Sequence, residues 1–217
     1  PSGEITNHQL LEFIGSKKKK IILSTGMSKM QEVKKAIDLI IKSGTKRKNI
    51  TVLQCTSDYP AKLKDTNLNC IKSYKEILKT NIGFSDHTIG DAASLVAVAL
   101  GAVVIEKHIT INKKMKGPDH LASMEYKDFK KFVGIVKKVP LILGKKIKTP
   151  SKNELNNLKY VRKSIYAKEF IKKGNIFSYN NVIAKRPCSG GIPANKILKI
   201  LGKISKKNFH IDEKITL

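Results

Sequence analysis

A chain of 217 residues with 41% hydrophobic side chains has room for one large domain, or a medium one and a small one, and buries enough to exclude global disorder. No run of about 18 apolar residues occurs, so no membrane span or membrane partner is expected. A net charge of +26 would ordinarily suggest nucleic acid, but only Arg47, Arg162 and Arg186 among the 43 basic residues are arginines, aromatics make up 6%, and the lysines are spread along the chain. Base readout relies on arginine forks and stacking rings, so no specific nucleic-acid partner is expected, and a general lysine bias accounts for the charge.

The chain begins with Pro1 and shows no signal peptide, so its N-terminal part is expected to be missing. Lys17 to Lys20 form a solvated run before the first strand candidate, residues 21–23. Ser28-Lys29-Met30-Gln31 reads as a capping box, followed by Val33, Ala36, Ile37, Ile40 and Ile41 at helical spacing and a stop at Gly44. A second strand, residues 51–55, contains Cys55, read as a small core residue. Leu68, Ile71, Tyr74, Ile77 and Leu78 mark the next helix. A third strand, residues 80–84, is weakened by Asn81 and Gly83. A short apolar helix over residues 92–100 ends at Gly101, a fourth strand covers 102–105, and Ser123 is expected to cap a helix carrying Phe129, Phe132, Val133 and Val136. Strand and helix thus alternate four times, and mostly apolar strands argue for parallel pairing with both faces covered. Pattern alone leaves a doubly wound sheet and half of a (β/α)8 barrel both open.

Residues 144–159 are polar and rich in Asn, and read as a linker between a first domain at 1–143 and a second at 160–217. The second has strand-like pieces at 164–166, 171, 176–177 and 182–183, a Gly190-Gly191-Ile192-Pro193 turn and a short helix at 196–201. At about 60 residues it lies near the lower limit for independent folding. Cys55, Cys70 and Cys188 are odd in number and lack metal spacing, which reads as reduced thiols in the cytoplasm.

The most informative feature is a pair of tripeptides, Ser85-Asp86-His87 and Glu106-Lys107-His108, each following a strand candidate. Two imidazoles are thereby delivered to the C-terminal ends of consecutive strands, the edge where parallel α/β proteins hold ligands and metals. Neutral imidazole suits a borderline divalent cation, and two His with open positions fit a catalytic site better than a closed structural one. Glu106, two residues before His108, reads equally well as an outer partner of the site or as a salt-bridged carboxylate of the sheet.

Taken in order, the strand ends read Ser2-Gly3-Glu4, Ser24-Thr25-Gly26-Met27, Gln54 through Pro60, Ser85-Asp86-His87-Thr88, Glu106-Lys107-His108 and Gly117-Pro118-Asp119-His120. This series resembles the sialic acid synthase family, which condenses phosphoenolpyruvate with an N-acetylhexosamine-type sugar. Arg162-Lys163-Ser164 and Lys185-Arg186-Pro187 resemble that family's antifreeze-like (SAF) domain.

The resemblance implies the C-terminal half of a (β/α)8 TIM barrel, strands five to eight, followed by a small β-rich SAF domain. Four strands cannot close a barrel, so the chain alone is expected to be unstable and inactive. The family's divalent metal, Mn2+ or Mg2+, falls to His87 and His108. Ser2, Ser24 and Ser85 fall to phosphoenolpyruvate, and Glu4, Ser57, Tyr59 and Asp119 to the sugar, with Glu4 as general acid or base. Glu4 and Asp119 read equally as solvated loop carboxylates, and Ser57 stands where some members carry Asn. Arg186 matches an arginine that reaches the sugar from the partner's SAF domain, which implies a domain-swapped homodimer. The expected product is a sialic acid made from an N-acetylmannosamine-type sugar. The rivals are the same chemistry on a pseudaminic, legionaminic or spore-coat precursor, or a non-catalytic protein binding polyanions and carbohydrate.

Overall fold

The computed structural model describes residues 1–216 and divides into two compact units, Pro1–Gly144 and Lys145–Leu217. The first contains α1 (His8–Ser16), β1 (Ile21–Ser24), α2 (Met30–Lys42), β2 (Ile50–Cys55), α3 (Cys70–Leu78), β3 (Asn81–Asp86), α4 (Ala92–Ala99) and β4 (Val104–Lys107). It continues through β5 (Ile109–Thr110), β6 (Met124–Glu125), α5 (Tyr126–Val136) and α6 (Val139–Leu143).

β1 to β4 form one parallel sheet in sequence order, the curl of half a barrel. The central strands β2 and β3 are buried along almost their whole length, while the edge strands β1 and β4 leave Ile22 and Glu106 exposed. Ile50 and Val52 of β2 enter a core with Val33, Ala36, Ile37 and Ile40 of α2, all at 0 or 1% exposure. The i, i+3, i+4, i+7 spacing of those α2 residues puts them on one face, and each large aliphatic buried there is worth about 1.5–3 kcal/mol. Ile71, Tyr74 and Leu78 of α3, Ala93 and Ala97 of α4, and Ile82 and Phe84 of β3 extend the same core. Leu53, on the other face of β2, is also fully buried.

Gly83, which weakens β3 in the sequence, is required by packing. A Cβ there would lie 2.4 Å from Leu53 Cδ2 and 2.5 Å from the Val104 carbonyl oxygen, so the residue admits neighbours on both sides of the strand.

Several boundaries differ from the sequence expectation. β3 and β4 run on through Asp86 and Lys107, so these polar residues are part of the ladder, with Ser85 opposite Glu106 and Asp86 opposite Lys107. α2 is capped not by a Ser28–Gln31 box but by Glu32, whose carboxylate accepts the Lys29 N–H at 2.7 Å. Ser123 does not cap α5: it is buried and donates to the Asp119 carbonyl at 2.7 Å, while Glu125 occupies the N-cap. β5 and β6 pair in parallel and escaped the sequence reading, because two residues carry no periodicity.

In the second unit, α7 (Lys152–Val161) takes up the second half of the stretch read as linker, opened by a Ser151–Glu154 capping box. β7 (Ser164–Ala167) and β8 (Val182–Lys185) pair antiparallel. Single bridges join Ile171 to Phe209 and Ile176 to Ile204. The expected short helix is a 3-10 turn at Ala194–Lys199. Ile165, Ile171, Phe177, Ile200, Phe209 and Ile215 supply its own core. Among the described residues no helix is long and apolar enough to cross a membrane.

Candidate active site

The C-terminal ends of β1 to β4 and the N-terminal residues surround one open cleft, lined by Ser2, Gly3, Ser24, Met27, Cys55, Ser57, Tyr59, Ser85, His87, Glu106 and His108, with Pro1 at its rim. Period-2 alternation carried one residue past each strand is the cause: Ser85 of β3 and His87 just after it, and Glu106 of β4 and His108 just after it, all line the cleft side. Three rings meet there. Tyr59 and His87 have centroids 4.1 Å apart, Tyr59 and His108 5.6 Å, and His87 and His108 5.2 Å.

His87 is held at one nitrogen. Its Nδ1 lies 2.7 Å from the Thr56 carbonyl oxygen, which can only accept, so Nδ1 carries the proton. Nε2 is left on the cleft side, 3.4 Å from Ser85 Oγ. Burial works to lower the His87 pKa, yet hydrogen bonding to Cys55 and the Thr56 carbonyl, with the charges of Cys55 and Glu106, carries it above the ordinary histidine value. Burial likewise opposes ionisation of Cys55, but His87 and Ser2 outweigh it and hold the thiol below its usual value. Burial first, then the charges of Cys55, Asp119 and Glu106, push the Tyr59 phenol up, so it remains a neutral donor.

Ser85 Oγ donates to Glu106 Oε1 at 2.6 Å. Of the two readings of Glu106, its partner is therefore a hydroxyl of the cleft, and it has no ion pair among the described residues. Ser2 Oγ accepts the Gly26 N–H at 2.9 Å and donates to Cys55 Sγ at 3.6 Å. Gly26 is a point of close approach, because a Cβ would come within 2.1 Å of Ser57 Oγ and 2.8 Å of Ser2 Oγ.

The structure brings Ser2, Ser24, Ser57, Tyr59, Ser85, His87 and His108 together, as expected from the sequence. Asp119 lies beside them, with Oδ2 3.9 Å from His108 Nδ1. Glu4 does not line the cleft. Its carboxylate accepts from Asn7 Nδ2 at 2.7 Å and borders a separate groove with Leu10, Leu11 and Ile21, because the 3-10 turn Ser2–Glu4 rotates it off the cleft side. Arg186 follows β8 in the second unit and is exposed.

Two features escaped the sequence reading. Cys55 lines the cleft rather than a plain core, and its position at the end of β2, opposite Ser85, was the available signal. Asp86 and Lys107 form an ion pair of 3.1 Å with side chains 0 and 1% exposed. Burial lowers the Lys107 pKa against the opposing pull of Asp86. Asp86 Oδ1 also accepts from the Thr88 N–H at 2.8 Å and hydroxyl at 2.7 Å, and Oδ2 from Ser94 Oγ at 2.5 Å.

A cleft of this construction, at the carboxyl ends of parallel strands, has counterparts of known family. The NeuB family model matches residues 1–148, and the SAF domain model matches residues 162–217. The chain belongs to the sialic acid synthase (NeuB) family. The N,N'-diacetyllegionaminic acid synthase of Campylobacter jejuni is 48% identical over 215 residues, covering 99% of this chain and 64% of the relative. The enzyme of the same name from Legionella pneumophila is 40% identical, covering 93% of this chain and 57% of the relative. The chain thus spans about three fifths of these relatives. Among solved structures, the N-acetylneuraminic acid synthetase of Leptospira borgpetersenii, in complex with citrate, is similar with a TM-score of 0.66 and 33% identity, over 72% of this chain and 54% of that one. The second unit therefore carries a SAF domain.

Proposed function

We propose that this sialic acid synthase family chain serves the condensation of phosphoenolpyruvate with an N-acetylhexosamine-type sugar to a nonulosonic acid and phosphate. The observation that carries this reading is the convergence of two imidazoles, four serines and a tyrosine on one cleft at the strand ends. C3 of phosphoenolpyruvate bonds to the aldehyde carbon of the open-chain sugar, water adds at C2, and phosphate leaves by C–O cleavage.

The hydroxyls of Ser2, Ser24 and Ser85 bind the anionic substrate, and the neutral Tyr59 phenol and Ser57 orient the sugar. His87, with Nδ1 fixed on Thr56, offers Nε2 beside the His108 ring, a donor pair that suits a borderline cation. Mn2+ or Mg2+ held by His87 and His108 would act as a Lewis acid on the aldehyde oxygen. Among the described residues no group of three His, Cys, Asp or Glu is placed to hold a metal, so the remaining ligands would be water and substrate oxygens. Asp119, beside His108, holds sugar hydroxyls. Glu4, turned away from the cleft onto Asn7, acts as acid or base once its turn rotates it inward. Arg186 reaches the sugar from a partner's SAF domain in a domain-swapped dimer.

The edge strands β1 and β4 of the sheet favour a barrel of eight strands closed by further βα units. The three free thiols fit a cytoplasmic enzyme. N-acetylmannosamine is our first acceptor. A legionaminic-type acceptor is the second reading, favoured by the 48% identity to the Campylobacter enzyme.

The test is phosphate release from phosphoenolpyruvate with Mn2+ and candidate amino sugars, using protein expressed from its complete coding sequence, beside His87→Ala/His108→Ala. Release that needs sugar and metal and is lost in the variant supports the reading. Release with a different sugar changes only the product. A folded, metal-loaded protein silent with every sugar would sink it and leave the polyanion- and carbohydrate-binding alternative standing.

A further inference from the structure

Asp86 and Lys107 are immediate neighbours in sequence of His87 and His108, yet their side chains lie on the opposite face of the strands. Alternation sends the histidines into the cleft and the ion pair toward α4, where Ser94 meets Asp86. The pair is directly in register across β3 and β4, at 3.1 Å. The chain then folds around it. Lys107 Nζ also donates to the Thr88 carbonyl at 2.6 Å, and Asp86 binds both the amide and the hydroxyl of Thr88. Residues 86 and 88, which flank His87 on either side, are thus tied to a single ammonium group one residue before His108.

An apolar pair would fill the same space, and a buried ion pair seldom adds net stability over one. What an apolar pair lacks is direction. A charged, hydrogen-bonded junction permits one register and one rotation of the two strand ends, and the histidines inherit it. Backbone pairing continues past both strands, with the His87 and His108 carbonyls each accepting an N–H at 2.9 Å, from Ala61 and Met124, but those bonds hold the main chain and leave the rotation of the side chains to their neighbours.

We propose that the buried Asp86–Lys107 pair, with Thr88 and Ser94, positions the two cleft imidazoles, setting their separation and the rotation of His87. The inference rests on the reading of His87 and His108 as the metal-holding pair. Asp86 and Lys107 touch neither substrate nor metal in it and act only through the histidines.

The test compares wild type, Lys107→Met and Asp86→Asn/Lys107→Met, all expressed from the complete coding sequence. Lys107→Met leaves Asp86 three hydrogen-bond donors, and the double variant removes both charges at nearly constant shape. Mn2+ affinity is measured by titration, and the His87 tautomer by nitrogen-15 NMR of the metal-free protein. In variants that melt cooperatively, Mn2+ affinity and kcat are expected to fall about 10- to 100-fold, the range for groups that orient a metal ligand. KM for phosphoenolpyruvate should change less, and the His87 Nδ1–H signal should give way to a tautomer mixture. Folded variants with wild-type Mn2+ affinity and an unchanged His87 spectrum would overturn the proposal. Should both fail to fold, Ser94→Ala, which removes one hydroxyl from Asp86 and keeps both charges, decides: a several-fold loss of Mn2+ affinity supports positioning, and none makes the pair a stability element only. If wild type and His87→Ala/His108→Ala take up Mn2+ equally, the metal reading falls separately, and the tautomer comparison still judges the pair.

Discussion

At Gly26 a single hydrogen in place of a methyl group keeps the cleft open, since Ser2 and Ser57 both close on the position. On the proposed synthase reading, Gly26→Ala is therefore expected to displace both hydroxyls and cut kcat/KM for the sugar about tenfold or more, with little change in Tm; steady-state kinetics beside a melting curve checks it. Phe84 is the opposite case. It is 1% exposed in the helix-facing core, and Phe84→Ala should cost about 3–5 kcal/mol in chemical denaturation. At this scale the sequence was informative for side chains whose role follows from type and strand position. Ser85, His87 and His108 all arrive in the cleft, because alternation along a strand is a local property. Glu4 does not, because a turn rather than a strand carries it, and a turn's rotation is not encoded by spacing.

Among the elements, α7 shows how composition misleads. An Asn-rich segment reads as linker, but Ser151 and Glu154 satisfy each other's backbone N–H groups and nucleate a helix. The backbone N–H of Ser151 first, then its hydroxyl and Lys148, hold the Glu154 carboxyl below its ordinary value of 4.5. A depressed carboxylate pKa stabilises the fold above the unfolded value and loses that contribution as pH falls through the folded one. Fraying of the first turn of α7 is thus expected only below about pH 4.5, and Glu154→Gln should remove that pH dependence; amide exchange across residues 151–155 follows it. β3 shows the converse. Gly83 looks like a break in a strand, yet Leu53 and the β4 backbone require it, and Gly83→Ala should destabilise the first unit by an overpacking cost of about 1–3 kcal/mol.

For the molecule as a whole, two separate cores meet in sequence at an exposed stretch, residues 141–151, which contains Lys145, Lys146 and Lys148. Brief trypsin treatment is expected to cut there before either core, giving one fragment ending near Lys145 and another beginning near Thr149; mass spectrometry identifies the cut, and earlier cleavage inside β1 to β4 would contradict it. The charge of +26 acts at this scale too, as a diffuse field. Retention on heparin should be lost steeply with added salt and be unaffected by His87→Ala, since no arginine cluster or ring platform gives it specificity.

By itself the sequence determined the alternation of strands and helices, their parallel pairing, the SAF-like tail and the family, and through the family the half barrel. Each of these rests on periodicity or on motifs in fixed order, which survive without knowledge of any contact. Tertiary structure alone decided what lies between the motifs: that Cys55 faces the cleft, that Thr56 selects the His87 tautomer, and that Asp86 and Lys107 lock together behind the histidines. Those are relations between strands, and register is set only when the helices and the sheet pack against one another.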